Sequence, residues 1–114
     1  MRFAHFQQSE NIYHLCDSLG IICWAAIPFV NTWTGKEGPN AKQQLIELIR
    51  QSFNHPSVYC WGLHNEVARP EGLYPAQLTI ELTDVAKTED PDRFTVSVSN
   101  TLWMKGDPIH FHAD

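Results

Sequence analysis

Asn65 and Glu66 set a side-chain amide and a carboxylate at the tip of an apolar run, Val58-Tyr59-Cys60-Trp61-Gly62-Leu63. A carboxyl group buried beside aromatic surface resists ionisation and can donate a proton near neutral pH, so the pair suits general acid/base work. Taken alone, the same pair also fits a helix cap or a salt bridge. His110-x-His112-x-Asp114 has a spacing that could put metal ligands on one face of a strand, although the segment also reads as a lead into a further strand. Cys16, Cys23 and Cys60 lack zinc-like spacing and read as small buried apolar residues on a helix and two strands.

The elements that must position these residues follow from periodicity. Ile12, Leu15, Cys16 and Leu19 recur at helical spacing over residues 9–19, with Ser9 as N-cap, Glu10 at the positive end of the dipole and Gly20 as the stop. Residues 21–27 form a strand apolar on both faces, closed by Pro28. Residues 31–40 read as a loop from Gly35, Gly38 and Pro39. Asn40 is placed to cap a second helix, with Gln43 returning the bond and a stripe of Ala41, Leu45, Leu48, Ile49 and Phe53. Asn54-His55-Pro56-Ser57 ends it, because a residue before proline is pushed out of helical geometry. The second strand is expected over residues 58–63 and a loop over 67–74. Pro75 suits the first turn of a third helix with stripe Leu78, Leu82, Val85 and Ala86. Asp90-Pro91 breaks that helix, and residues 94–98 make the third strand, followed by a loop-like tail.

Helices between apolar strands argue for parallel pairing, since a parallel crossover needs a helix-length connection. Strand starts near Ile21, Val58 and Phe94 recur roughly every 36 residues, against about 31 per unit in a (β/α)8 barrel. No Gly-rich phosphate turn follows any strand, which speaks against a nucleotide-binding doubly wound sheet. The expected fold is α/β: a partial (β/α)8 TIM barrel of about three consecutive βα units, spanning residues 1–114 as a piece of one larger domain. Three strands cannot close a barrel, so exposed edges and self-association through them are expected.

Composition narrows the function classes. A 43% hydrophobic and 18% charged chain of 114 residues is that of one folded domain at most. With a net charge of −5, no broad basic surface recommends nucleic acid or an anionic membrane. No apolar run is long enough to span a bilayer and residues 1–5 hold no signal core, which leaves the compartment undetermined.

In a β/α barrel the site lies at the carboxyl ends of the strands, which selects His5 and Phe6, residues 27–33, His64-Asn65-Glu66, and Asn100 with Thr101. Here a family likeness enters. Asn54-His55-Pro56-Ser57, the apolar strand, and Trp61-Gly62-Leu63-His64-Asn65-Glu66 resemble the signature of glycoside hydrolase family 2, N-H-P-S followed by W-S-x-G-N-E. Arg2-Phe3-Ala4-His5-Phe6-Gln7 resembles its R-x-x-H-Y-P segment, Leu15-Cys16-Asp17-Ser18-Leu19-Gly20-Ile21 its L-C-D-E-x-G-[IL] stretch, and Asp90-Pro91-Asp92-Arg93 its D-P-[ST]-R turn. The motifs occur in the family's order up to about Asn100.

The resemblance implies part of a retaining exo-glycosidase acting on β-galactosides, with β-glucuronidase and β-mannosidase sharing the same motifs. It implies Glu66 as general acid/base, Asn65 as the amide that binds the sugar 2-hydroxyl, and His5 as a substrate contact. The retaining nucleophile would stand about 5–5.5 Å from Glu66 and come from a later strand beyond Asp114. The implied partners are the carbohydrate substrate, the remaining barrel strands and the flanking domains. No cofactor and no metal ligand is expected, and the chain by itself is expected to be inactive.

Two departures from the pattern stand out. Ala26 occupies a position where the family often has an acidic residue, whose loss would remove a supporting hydrogen bond or a metal-linked group. His64 stands where glycine is common, either tuning Glu66 or acting as a spacer. Asn31, Trp33 and Trp103 fall on loops at the site face, suited to sugar stacking or to plain loop packing. His14 reads as solvated, as do Glu47, Glu71, Glu81, Asp84 and Glu89. The competing readings are a non-catalytic carbohydrate-binding barrel, suggested by Ala26, and an unrelated flavodoxin-like partner-binding domain.

Overall fold

The computed structural model describes residues 1–32, 34–68 and 75–99, and of residues 31, 32, 66, 68, 98 and 99 only the backbone. The elements run α1 (Glu10–Leu19), β1 (Cys23–Ala26), β2 (Val30–Thr32), α2 (Gly38–Ser52), β3 (Val58–Ala68), α3 (Ala76–Glu89) and β4 (Phe94–Ser99). β3 takes β1 and β2 along one edge and β4 along the other, all parallel. Arg2 adds a parallel bridge to Trp24 outside β1. Spatial order therefore follows chain order, with no reversal of the kind that marks a doubly wound sheet. Three consecutive βα units in this order make the expected arc of a TIM barrel.

Leu45, Leu48 and Ile49 of α2, and Leu78, Leu82 and Ala86 of α3, bury against Trp61, Leu63 and Val67 of β3. The predicted stripes of α2 and α3 hold, except that Phe53 is exposed. On α1 the buried face is Tyr13 and Cys16, whereas Ile12, Leu15 and Leu19 are exposed. The helix is turned by Tyr13, which meets Phe3 edge-on at 5.4 Å and stacks on His55 at 5.3 Å. All three cysteines are free and buried, as expected, and burial pushes the Cys23 and Cys60 thiols up to about 11, so neither is a ready nucleophile.

Several boundaries differ from expectation for local reasons. α2 starts at Gly38, not Asn40: Pro39 fits its first turn, and Glu37 accepts hydrogen bonds from the Thr34 hydroxyl and from the backbone of Thr34, Gly35 and Lys36. Gln43 then bonds Glu47 rather than a cap. Ser9 and Pro75 occupy N-cap positions without a side-chain bond. β2 begins at Val30 and runs into the start of the predicted loop. The expected strand over residues 21–27 is shorter, Cys23–Ala26, and Pro28, with no N–H to donate, separates it from β2. Ile27 N donates to Gly62 O, Phe29 N turns back onto Ile27 O, and the ladder resumes where Asn65 N donates to Phe29 O.

The turns before β3 and β4 stitch the amino ends of these strands together. Asp90 is 1% exposed and accepts from Trp61 Nε1 at 2.9 Å and Arg93 Nη1 at 2.7 Å. Burial alone would raise the Asp90 pKa, but these bonds hold it below the ordinary carboxylate value. Arg93 also donates to the carbonyls of Val58, Phe53 and His55, so it joins the turn before β3 to the turn before β4.

Candidate functional site

β3 is longer than the apolar run suggests. Val30 and Thr32 pair with Asn65 and Ala68 on one side, and Val98 and Ser99 pair with His64 and Asn65 on the other. His64, Asn65 and Glu66 therefore lie within the strand, near its carboxyl end, rather than beyond it. Two extended neighbours outweigh the weak strand preference of asparagine and glutamate. Pairing advances four residues from Ala26 to Val30 while β3 advances three, from Gly62 to Asn65. The extra residue at Pro28 therefore sits in the β1–β2 segment, as a bulge against a continuous β3.

Asn65, near the end of β3, meets Arg2. Arg2 Nη2 donates to Asn65 Oδ1 at 2.8 Å, and the same guanidinium lies 4.4 Å over the centre of the Trp24 ring. With its oxygen engaged, Asn65 keeps its NH2 group to offer; no bond to that group occurs among the described residues. The arrangement can hold an amide donor rigidly toward a hydroxyl brought to the strand end. Arg2 and Trp24 were not singled out from sequence as site residues, although Arg2 opens one of the quoted motifs.

Trp24 is also the reason for Gly62. A Cβ at residue 62 would collide with Trp24 Nε1 and come within 2.8 Å of Ala26 Cβ. Trp24 Nε1 is buried with no hydrogen-bond partner among the described residues. The Ala26 departure therefore falls beside an unsatisfied donor, on the strand flanking Gly62.

His64 is 4% exposed, and its Nε2 lies 2.9 Å from Thr79 Oγ1 of α3. The Thr79 hydroxyl donates to Pro75 O at 3.0 Å, so the imidazole supplies the proton of the shared bond. Its ring packs edge-on to Phe29 at 5.9 Å. Burial lowers the His64 pKa to about 4, which leaves it neutral through the physiological range. In these contacts His64 ties β3 to the start of α3.

His5 is half-buried in the bend after the Arg2 bridge, and no hydrogen bond or ring contact joins it to Asn65 among the described residues. Glu66 is placed by backbone as the residue after Asn65 in β3, and its side chain lies outside the described part. Trp33, Glu71, Asn100, Thr101, Trp103, His110, His112 and Asp114 also lie outside the described residues, as does the Asn31 side chain.

Residues 1–110 match the family model described as glycosyl hydrolases family 2, TIM barrel domain. Among curated relatives, a beta-glucuronidase of Bacteroides fragilis is 45% identical over 109 residues, which is 88% of this chain and 16% of that protein. A beta-galactosidase of Thermoanaerobacterium thermosulfurigenes is 31% identical over 86% of this chain and 13% of its own length. Among solved structures, a provisionally assigned beta-galactosidase from Bacteroides fragilis superposes with a TM-score of 0.78 at 65% identity, over 83% of this chain and 14% of that one. The chain thus spans about a sixth of the curated relatives it matches.

Proposed function

Because the chain belongs to glycoside hydrolase family 2, within its TIM barrel domain, we propose that it forms part of the active site of a retaining β-glycosidase. Glu66 is the general acid/base: it protonates the glycosidic oxygen, then takes a proton from the water that releases the enzyme-bound sugar. Asn65 donates from Nδ2 to the sugar 2-hydroxyl, a contact that strengthens as the ring gains oxocarbenium character. His5 contacts the same sugar. The nucleophilic carboxylate is supplied by a later strand of the family's barrel.

The observation that carries this reading is the Arg2–Asn65 bond, because it presents an oriented amide immediately before the acid at the carboxyl end of a barrel strand. Two sugars remain in play, each favoured by a different likeness. The names of most curated relatives favour a β-glucuronide, whereas the 65% identical structure favours a β-galactoside.

The full-length protein should be assayed against nitrophenyl β-glycosides of galactose, glucuronic acid and mannose. The Glu66→Gln variant should lose about 10²–10⁴-fold in turnover on alkyl glycosides. It should lose less on dinitrophenyl glycosides, whose leaving group needs no proton. Unchanged turnover of alkyl glycosides in that variant would overturn the assignment, and the preferred sugar in the panel decides between the two substrates.

A further inference from the structure

A second cluster lies away from Asn65, where α1 meets the turn between α2 and β3. Glu10 and His14 stand one helical turn apart on α1, with Glu10 Oε1 3.7 Å from His14 Nε2. The His14 ring meets the His55 ring edge-on at 4.8 Å between centres. One ligand atom from each of Glu10, His14 and His55 falls within 4.8 Å of the others.

We propose that these three residues bind a divalent transition-metal cation, zinc being the best fit. Two imidazoles and a carboxylate match the donors zinc takes, leaving a fourth position for water. His55 is held as a ligand would be. Its Nδ1 lies 2.6 Å from Asp17 Oδ2, and Asp17 Oδ1 accepts from Ser57 N at 2.9 Å. A carboxylate on one ring nitrogen orients the imidazole and raises the basicity of the other, the arrangement typical of histidine–metal sites. His55 Nε2 has no hydrogen-bond partner among the described residues.

Glu10 and His55 line a cleft of about 210 Å³ with Tyr13, Gln51 and Ser52, room enough for a cation and its waters. His14 and Glu10 are 64% and 75% exposed in their side chains, so a cation can enter from solvent. Bound there, it would clamp the amino-terminal half of α1 to the turn that leads into β3. The site is independent of the glycosidase reading.

The full-length protein, stripped with a chelator and dialysed, should be titrated with Co²⁺ and then Zn²⁺, alongside His14→Ala and Glu10→Gln variants. Both substitutions are at exposed positions that leave the His55–Asp17 bond intact. The wild type should take up one more equivalent of zinc than either variant. It should show a cobalt visible band that the variants lack, and only its unfolding temperature should rise with zinc through this site. Equal zinc uptake and equal cobalt spectra in wild type and variants would overturn the proposal.

Discussion

Arg2 and Asn65 are 63 residues apart in the chain, yet the Arg2 guanidinium donates to the Asn65 amide oxygen at 2.8 Å while stacked on Trp24. This contact joins the segment before α1 to the end of β3 and fixes which way the amide faces. An asparagine whose oxygen is held by a cation cannot rotate to present that oxygen to substrate. Its donor side is the one left to work.

Removing the guanidinium should therefore act through Asn65. In the full-length protein Arg2→Ala should cut kcat/KM by about 10–100-fold, the loss expected for one charge-assisted hydrogen bond of about 1.5–3 kcal/mol. Asn65→Ala should cost at least as much. The double variant should cost little more than Asn65→Ala alone, because the two residues act as a unit. A double-mutant cycle on a nitrophenyl glycoside measures this, and fully additive losses would show that Arg2 works by another route.

Gly62 leads to a packing prediction. Its neighbours leave no space for a Cβ, with Ala26 Cβ 2.8 Å from where it would sit and the Trp24 indole closer still. Both neighbours are on β1, paired directly to β3. Ala26 Cβ cannot retreat without disturbing the ladder. Gly62→Ala should destabilise the protein by about 1–3 kcal/mol, read as a lowered urea midpoint with unchanged slope.

The sequence was most legible where one period or one motif governs a segment. Apolar spacing over α2 and α3 predicted their buried faces, because each helix turns that face toward the sheet and its neighbouring helix and leaves the other to solvent. The α1 stripe misled, since Tyr13, an aromatic off that stripe, gains more by meeting Phe3 and His55 than Leu15 gains anywhere. The end of β3 was unreadable for another reason. His64, Asn65 and Glu66 are poor strand formers, and their extended backbone is imposed by β2 and β4, which periodicity within β3 cannot reveal. Glu66 and Asn65 could be named from a motif, but the Arg2–Asn65 bond could not, since it joins residues 63 apart that only the assembled sheet brings together.

Arg93 is the cation on which the amino ends of two strands depend. It satisfies the buried Asp90 carboxylate and three backbone carbonyls. Arg93→Ala would leave Asp90 charged, 1% exposed and held by Trp61 and backbone N–H groups alone. A loss of about 3–5 kcal/mol is expected. Arg93→Lys should recover only part of it, because a single ammonium cannot reach the carboxylate and the carbonyls together. Chemical denaturation of the three proteins checks the order wild type, Lys, Ala.

His64 makes stability depend on pH in a defined window. Its pKa is lowered by burial to about 4, against the ordinary value of 6.5. Between those values the unfolded chain binds a proton that the folded chain refuses, so stability rises with pH across the window. Above 6.5 both forms are neutral and the contribution is fully present; below about 4 both are protonated and it is gone. The full swing is roughly 3 kcal/mol at 1.36 kcal/mol per pKa unit. His64→Gln keeps an N–H for the Thr79 hydroxyl but has nothing to titrate. Unfolding free energies measured from pH 4 to 7 should therefore climb less steeply in the variant than in the wild type. Parallel curves would mean that another group carries the pH dependence in this range.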